Sequence, residues 1–179
     1  MEIKKYISKD CEALEQPVKI TIVPYERKYR DDMLFCYLSA KDAIGRQYAP
    51  DKWIKPNLRE DLLDIEGTYI KRGDVFYLAI DEHDRVVGTI GTQTISATDL
   101  WLKRLFVKPE LKGKGIGSKL LSAVEKYAVG KGIITLHTRF ADWYVEAARF
   151  YPKKGFVEVE LDGNLRHMVK RLLPNITVK

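Results

Sequence analysis

The chain has 179 residues, 45% hydrophobic and 31% charged, with 31 Lys and Arg against 25 Asp and Glu and a formal net charge of +6 at pH 7. That length holds one domain with its own core, and the composition is that of a folded chain rather than a disordered one. No apolar run reaches the roughly 18 residues of a membrane helix, and Met1-Glu2-Ile3-Lys4-Lys5 is not followed by the apolar stretch of a secretory signal. The expected compartment is the cytoplasm, and no membrane partner is expected.

Residues 1–17 are polar and without period, and read as an N-terminal extension ahead of a domain at 18–179. Val18–Val23 alternates like a strand, closed by Pro24. Arg27–Ile44 predicts a helix, with Met33, Leu34, Tyr37 and Leu38 at helical spacing. Arg46–Pro56 is a loop rich in Pro and aromatic residues. A helix is predicted from Asn57, with Asn57-Leu58-Arg59-Glu60 as a variant capping box and Leu58, Leu62, Ile65 and Tyr69 as its stripe. Strands are predicted at Val75–Ile80, Val86–Ser96 and Asp99–Val107, with connections short enough for an antiparallel meander. A helix at Ile116–Val129, a strand at Ile133–Thr138 and a helix at Asp142–Tyr151 with Asp142 as cap follow. Strands Phe156–Leu161 and His167–Leu173 flank an Asp162-Gly163-Asn164 turn.

Cys11 and Cys36 stand far apart and match no metal or redox spacing, so two free thiols are expected. His83, His137 and His167 are scattered, so no metal site is expected. The basic balance is local. Lys103, Arg104, Lys108, Lys112, Lys114, Lys119, Lys126 and Lys131 crowd one segment, opposed only by Glu110 and Glu125. Basicity focused beside a glycine loop points to a phosphate-bearing small ligand, not to nucleic acid, and no recognition-helix pattern supports the latter.

The segment Leu105 to Leu121 runs from a strand through Gly113, Gly115 and Gly117 into an amphipathic helix. Glycines there leave backbone N–H groups uncovered, and the helix start favours a pyrophosphate. A Walker loop needs Gly-Lys-Ser or Gly-Lys-Thr, whereas Ser118-Lys119 has the opposite order. A dinucleotide fingerprint needs Gly-x-Gly-x-x-Gly in a parallel unit, whereas these glycines are each two apart and follow a meander.

At Lys112-Gly113-Lys114-Gly115-Ile116-Gly117 the chain resembles the GNAT superfamily of N-acetyltransferases, whose phosphate loop is Arg or Gln, two residues, Gly, one residue, Gly or Ala. Lys112 departs from Arg or Gln and keeps the charge. Ala147 to Phe156 resembles the family's Ala-x-x-Phe-Tyr-x-x-x-Gly-Phe block. The resemblance covers about Val75 to Leu173. It implies an α+β, three-layer GNAT fold: a mixed, mostly antiparallel twisted sheet of about six to seven strands flanked by about four helices. It also implies acetyl-CoA as cofactor and direct acetyl transfer to a primary amine in a ternary complex.

By that resemblance Leu105, Phe106 and Val107 meet the pantetheine arm. Lys112, Gly113, Lys114, Gly115, Ile116, Gly117 and Ser118 hold the pyrophosphate. Tyr144 stands where many relatives carry a pantetheine-binding Asn, and Ala147 and Tyr151 share its helical face. Tyr151 is the candidate general acid, and the Val107 N–H the candidate oxyanion donor. Trp101 occupies the strand position where many relatives carry a Glu base. Asp99, on the same strand face, is the candidate base, and His137 a lesser one. Tyr48, Trp53 and Tyr69, with Asp51, Asp61 or Asp64, are candidates to receive the amine. The acceptor stays open between a small amine, an amino acid and a peptide or protein amine, and the assembly between monomer and homodimer. The alternative function is a coenzyme A-binding sensor without turnover.

Overall fold

A computed structural model describes residues 17–52 and 58–172. Seven strands form one sheet: β1 Thr21–Pro24, β2 Phe76–Ile80, β3 Val86–Thr94, β4 Asp99–Val107, β5 Thr135–Ala141, β6 Val157–Asp162 and β7 Leu165–Arg171. Their order is β1-β2-β3-β4-β5-β7-β6. The β4–β5 pair is parallel and the others are antiparallel. The helices are α1 Arg30–Tyr48, α2 Glu60–Leu63, α3 Ile65–Thr68, α4 Ile116–Gly130 and α5 Val145–Lys153. This is the mixed, three-layer sheet that the sequence leads one to expect.

Strand alternation sorts the side chains onto two faces. Leu100 and Leu102 point to the α4 face, where they join Ala79, Val87, Leu120 and Val124 in one core. Fully burying each such Leu or Val stabilises the fold by roughly 1.5–3 kcal/mol. Asp99, Trp101 and Lys103 alternate with them and so point to the opposite face. There α1 covers β3 and β4, and Met33, Cys36 and Tyr37 pack with Phe76, Leu78 and Val86. Cys36 is a buried free thiol whose pKa burial pushes up to about 12. Cys11 lies outside the described residues.

Two irregularities shape the centre of the sheet. The parallel pairing of β4 and β5 runs only from Asp99 opposite Thr135 to Trp101 opposite His137. Beyond that point the two strands separate. In addition, the β3–β4 register shifts between Thr89 and Gly91, so Arg104 and Leu105 both oppose Ile90. Arg104 sits there with φ 54°. A left-handed conformation costs a residue with a Cβ about 1–2 kcal/mol. Local bonds offset that cost: the Thr89 hydroxyl donates to the Arg104 carbonyl at 2.7 Å, and the guanidinium donates to both Asp61 oxygens at 2.9 and 2.7 Å. A bulge bends its strand, and this one lies where β4 parts from β5.

Several expected elements differ. The helix expected at Arg27–Ile44 begins with a 3-10 turn at Arg27–Tyr29 and continues to Tyr48, so Tyr48 is the end of α1 and not a loop residue. Trp53, Pro56 and Asn57, and with Asn57 its capping box, lie outside the described residues. The single helix expected beyond Asn57 is two separate turns. Asp64 breaks it, because its side chain accepts from the Gly67 N–H at 2.9 Å and starts a new turn. Asp142 does not cap α5. The N-cap is Tyr144, and the Asp142 N–H instead binds the Asn164 carbonyl in the β6–β7 turn. The strand expected at Val18–Val23 starts at Thr21, and β5 continues past Thr138 to Ala141. No helix among the described residues is long and apolar enough to cross a membrane.

Candidate active site

Where β4 and β5 separate, a cleft of about 820 Å³ opens between them, floored by β4 and closed at its sides by the glycine loop and α5. Its mouth lies at the start of α4. Gly115, the N-cap, has φ 79°, and Gly113 has φ 78°; both are left-handed conformations that glycine adopts without strain. The first bond of α4 is from the Lys119 N–H to the Gly115 carbonyl at 3.1 Å. The N–H groups of Ile116, Gly117 and Ser118 therefore have no partner within the helix, and no side chain caps them. All three residues line the cleft. A Cβ on Gly117 would lie 3.5 Å from the Phe150 ring, so the backbone here is close to the cleft wall. Three unpartnered amides at the positive end of a 15-residue helix form a seat for a phosphate group.

The middle of the cleft belongs to β4 and α5. Lys108 donates to the Val87 carbonyl at 2.9 Å, so by antiparallel alternation the N–H and C=O of Val107 face away from β3. They face the side where β5 no longer pairs. Tyr151 stands across from this edge on α5. Its ring stacks on Phe140 at 5.5 Å and meets Phe150 and Phe156 edge-on at 5.3 and 5.1 Å. Burial pushes its pKa up to about 12, against a weaker opposite pull from the Thr138 hydroxyl. The phenol is therefore protonated throughout the neutral range. Tyr144 is also raised, by burial first and then by the Glu146 charge.

The remaining predicted residues divide. Leu105, Phe106, Lys112, Gly113, Tyr144 and Ala147 line the cleft; Lys114 does not. Lys112 is already engaged. Its ammonium donates to Glu146 at 2.6 Å, and Tyr48 donates to the other oxygen of Glu146 at 3.0 Å. This pair ties the glycine loop to the first turn of α5.

Asp99 lies at the far end of β4 and is not among the lining residues. Its carboxylate accepts from Thr98 at 2.7 Å and Ser96 at 3.0 Å, and meets His137 Nε2 at 2.8 Å. The Thr98 hydroxyl first, and His137 second, hold its pKa below the usual carboxylate value. That makes it a poor base. His137 is mid-strand in β5, not at a strand end, and its Nδ1 lies 3.0 Å from His167 Nε2. Both rings pack on Trp101, at 5.1 and 4.9 Å. Trp101 does line the cleft, where β4 and β5 part.

Of the acidic residues expected to attract an amine, two are committed elsewhere. Asp61 holds Arg104 and accepts from Tyr69 at 2.5 Å, and Asp64 caps α3. Lys41 and Arg139, which the sequence does not single out, also line the cleft, together with Arg104 from the basic segment. The turn of Arg104 towards Asp61 has no sequence signal, because a bulge is set by register and not by residue type. Lys41 could be found only by placing α1 over β4.

Residues 72–158 match the model of the acetyltransferase (GNAT) domain. The protein named "Probable N-acetyltransferase camello" of Xenopus tropicalis is 31% identical over 114 residues, which cover 62% of this chain and 52% of that protein. The thialysine N-epsilon-acetyltransferase of Bos taurus is 36% identical over 62 residues, covering 35% of this chain and 36% of that protein. The chain thus spans about half the length of the first relative and about a third of the second. A crystal structure of a GNAT-family acetyltransferase from Staphylococcus aureus Mu50 superposes with a TM-score of 0.73 at 28% identity, covering 87% of this chain and 100% of that one. A matching domain model over the glycine loop and α5, a matching sheet and N-acetyltransferase relatives lead to one assignment: residues 72–158 form an acetyltransferase (GNAT) domain.

Proposed function

We propose that this protein is an N-acetyltransferase that moves an acetyl group from acetyl-CoA directly to a primary amine, with both held in the cleft between β4 and β5. The observation that carries the reading is that one cleft is lined by the unpartnered amides of α4, the unpaired edge of β4 and a buried tyrosine. The N–H groups of Ile116, Gly117 and Ser118 hold the pyrophosphate, and the left-handed glycines at 113 and 115 keep side chains out of its way. On the free edge of β4 the Val107 carbonyl accepts from the amide-bearing arm, which leaves the Val107 N–H for the acyl oxygen. When bound, acetyl-CoA supplies an activated acyl thioester.

The Val107 N–H stabilises the negative charge that develops on the acyl oxygen. Tyr151 donates its proton to the departing sulfur. Its raised pKa does not oppose this, because the same apolar wall raises the basicity of a thiolate formed beside it. Phe140, Phe150 and Phe156 exclude water from that transfer. The amine loses its proton to water in the open part of the cleft, since Asp99 is turned to Thr98, Ser96 and His137.

A second reading, a coenzyme A-binding module without turnover, is favoured by Trp101 in the place of a carboxylate. Thiol release from acetyl-CoA across a panel of amines separates the two. Release that depends on the amine is expected; binding of acetyl-CoA with no release for any amine establishes the second reading.

A further inference from the structure

The apex of the cleft, at the end away from the glycine loop, is basic. Lys41 from α1, Lys103 and Arg104 from β4, and Arg139 from β5 all line it. Among the described residues the one acidic side chain on the cleft wall is Glu146, which Lys112 and Tyr48 already hold. Arg104 is neutralised by Asp61. Arg139 has Glu160 only at 3.6 Å and leans over Trp101 at 5.6 Å. Lys103 lies over the same indole at 5.8 Å, and Lys41 over Phe106 at 5.9 Å. Among the described residues, no carboxylate comes within 4.0 Å of Lys41 or Lys103.

We infer that this apex binds an anion carried by the acceptor, so the preferred substrate is an amine that also bears a carboxylate or phosphate group. The inference rests on the acetyltransferase reading above and narrows its acceptor. Half-buried cations crowded together repel one another. Lys41 is disfavoured as a cation by burial, then by Arg59 and Arg104; Lys103 by burial, then by Arg104, with Arg139 adding to it. An anion between them removes that cost and gains charge-assisted bonds. A polyamine meets the opposite: like charge at close range. This group of cations is distinct from the phosphate seat, because Lys103 and Val107 lie opposite Gly91 and Gly88, three strand residues or about 10 Å apart, and the glycine loop follows Val107.

The test compares matched acceptors in the full chain: lysine against cadaverine, which lacks the carboxylate, and phosphoethanolamine against ethanolamine. Binding is measured by calorimetry on protein saturated with coenzyme A, and turnover by thiol release from acetyl-CoA. The anionic member of each pair should be preferred by about 10- to 100-fold, the range of a bond to a charged group. Lys103→Glu should reverse the preference towards cadaverine while the acetyl-CoA affinity stays within about two-fold, and a gain of cadaverine binding is a result that a misfolded variant cannot give. Lys41→Gln should weaken the preference without reversing it.

Equal binding within both pairs, or a preference that neither variant moves, overturns the inference. So does a preference for succinyl-CoA over acetyl-CoA that is lost in Lys103→Glu, because the anion then belongs to the donor. Calorimetry keeps the question separate from turnover. If no amine releases thiol, the acetyltransferase reading fails, while the carboxylate-dependent binding still reports on the apex.

Discussion

The two ends of the cleft are built in different ways. The mouth is made from one short stretch of chain, Lys112 to Ser118, and works through backbone amides. The apex is made from side chains that α1, β4 and β5 bring together from distant positions. A backbone site tolerates side-chain change and depends on φ and on a helix start. A side-chain site depends on charge and register. The mouth therefore suits a ligand shared by many relatives, and the apex one that differs between them.

If both ends serve one reaction, the group between them should matter most. Tyr151→Phe keeps the ring, and with it the stack on Phe140 and the edge contacts to Phe150 and Phe156. Only the hydroxyl and its bond to Thr138 are lost. Turnover should fall by about 10²–10⁴, the usual contribution of a general acid, with acetyl-CoA affinity nearly unchanged. A loss within a few-fold would make Tyr151 a packing residue and leave the sulfur to be protonated by water.

The mouth can be broken alone. Gly115→Val has open space around the new Cβ, but must hold φ near 79°. Holding a residue with a Cβ there costs about 1–2 kcal/mol, and the first amides of α4 lose their alignment in relieving it. The thermal shift given by acetyl-CoA, which reflects binding to the native state alone, should vanish, while the selectivity of the apex for anionic amines is kept. An unchanged shift would mean that the pyrophosphate sits elsewhere.

This difference also governs what could be read from the sequence. Glycines at 113, 115 and 117 before an apolar helical stripe are a local signal, and so are the alternating strands from Val75 onward. The helical stripe Ile116, Leu120, Val124 and Tyr127 follows from periodicity alone, and the first three of these are buried in the core. The apex has no such signal. Asp61 looks like a free acid until α2 places it against Arg104, and His137 looks solitary until β7 brings His167 to 3.0 Å. Charge pairing across strands depends on the register, and a bulge at Arg104 resets the register without a sequence marker. Asp64 and Gly67 hold the cap that splits the expected second helix, but the apolar stripe across them is the stronger pattern.

The smallest effect is expected at the far end of β4. Asp99 lies outside the cleft, so Asp99→Asn should leave the pH–rate profile superimposable on that of the wild type, both following the amine's own ionisation. The change should appear in stability instead, and its sign follows from the pKa directions. Asp99 is lowered in the fold, by Thr98 first and His137 second. Its contribution is complete above the unfolded value of about 3.9 and is lost as the pH falls through the lower folded value. His167 is lowered by burial first, then by His137 and Arg139. Its neutral form is the stable one, so its contribution is complete above about pH 6.5 and is lost as the pH falls below that. Melting followed from pH 8 to pH 3 should therefore show both proteins weakening below about pH 6.5 from His167, and only the wild type losing the Asp99 contribution near the acid end. A rate loss in Asp99→Asn at neutral pH that closes at high pH, where the amine ionises unaided, would return the proton to Asp99 and extend the catalytic site through His137 to that end of the strand.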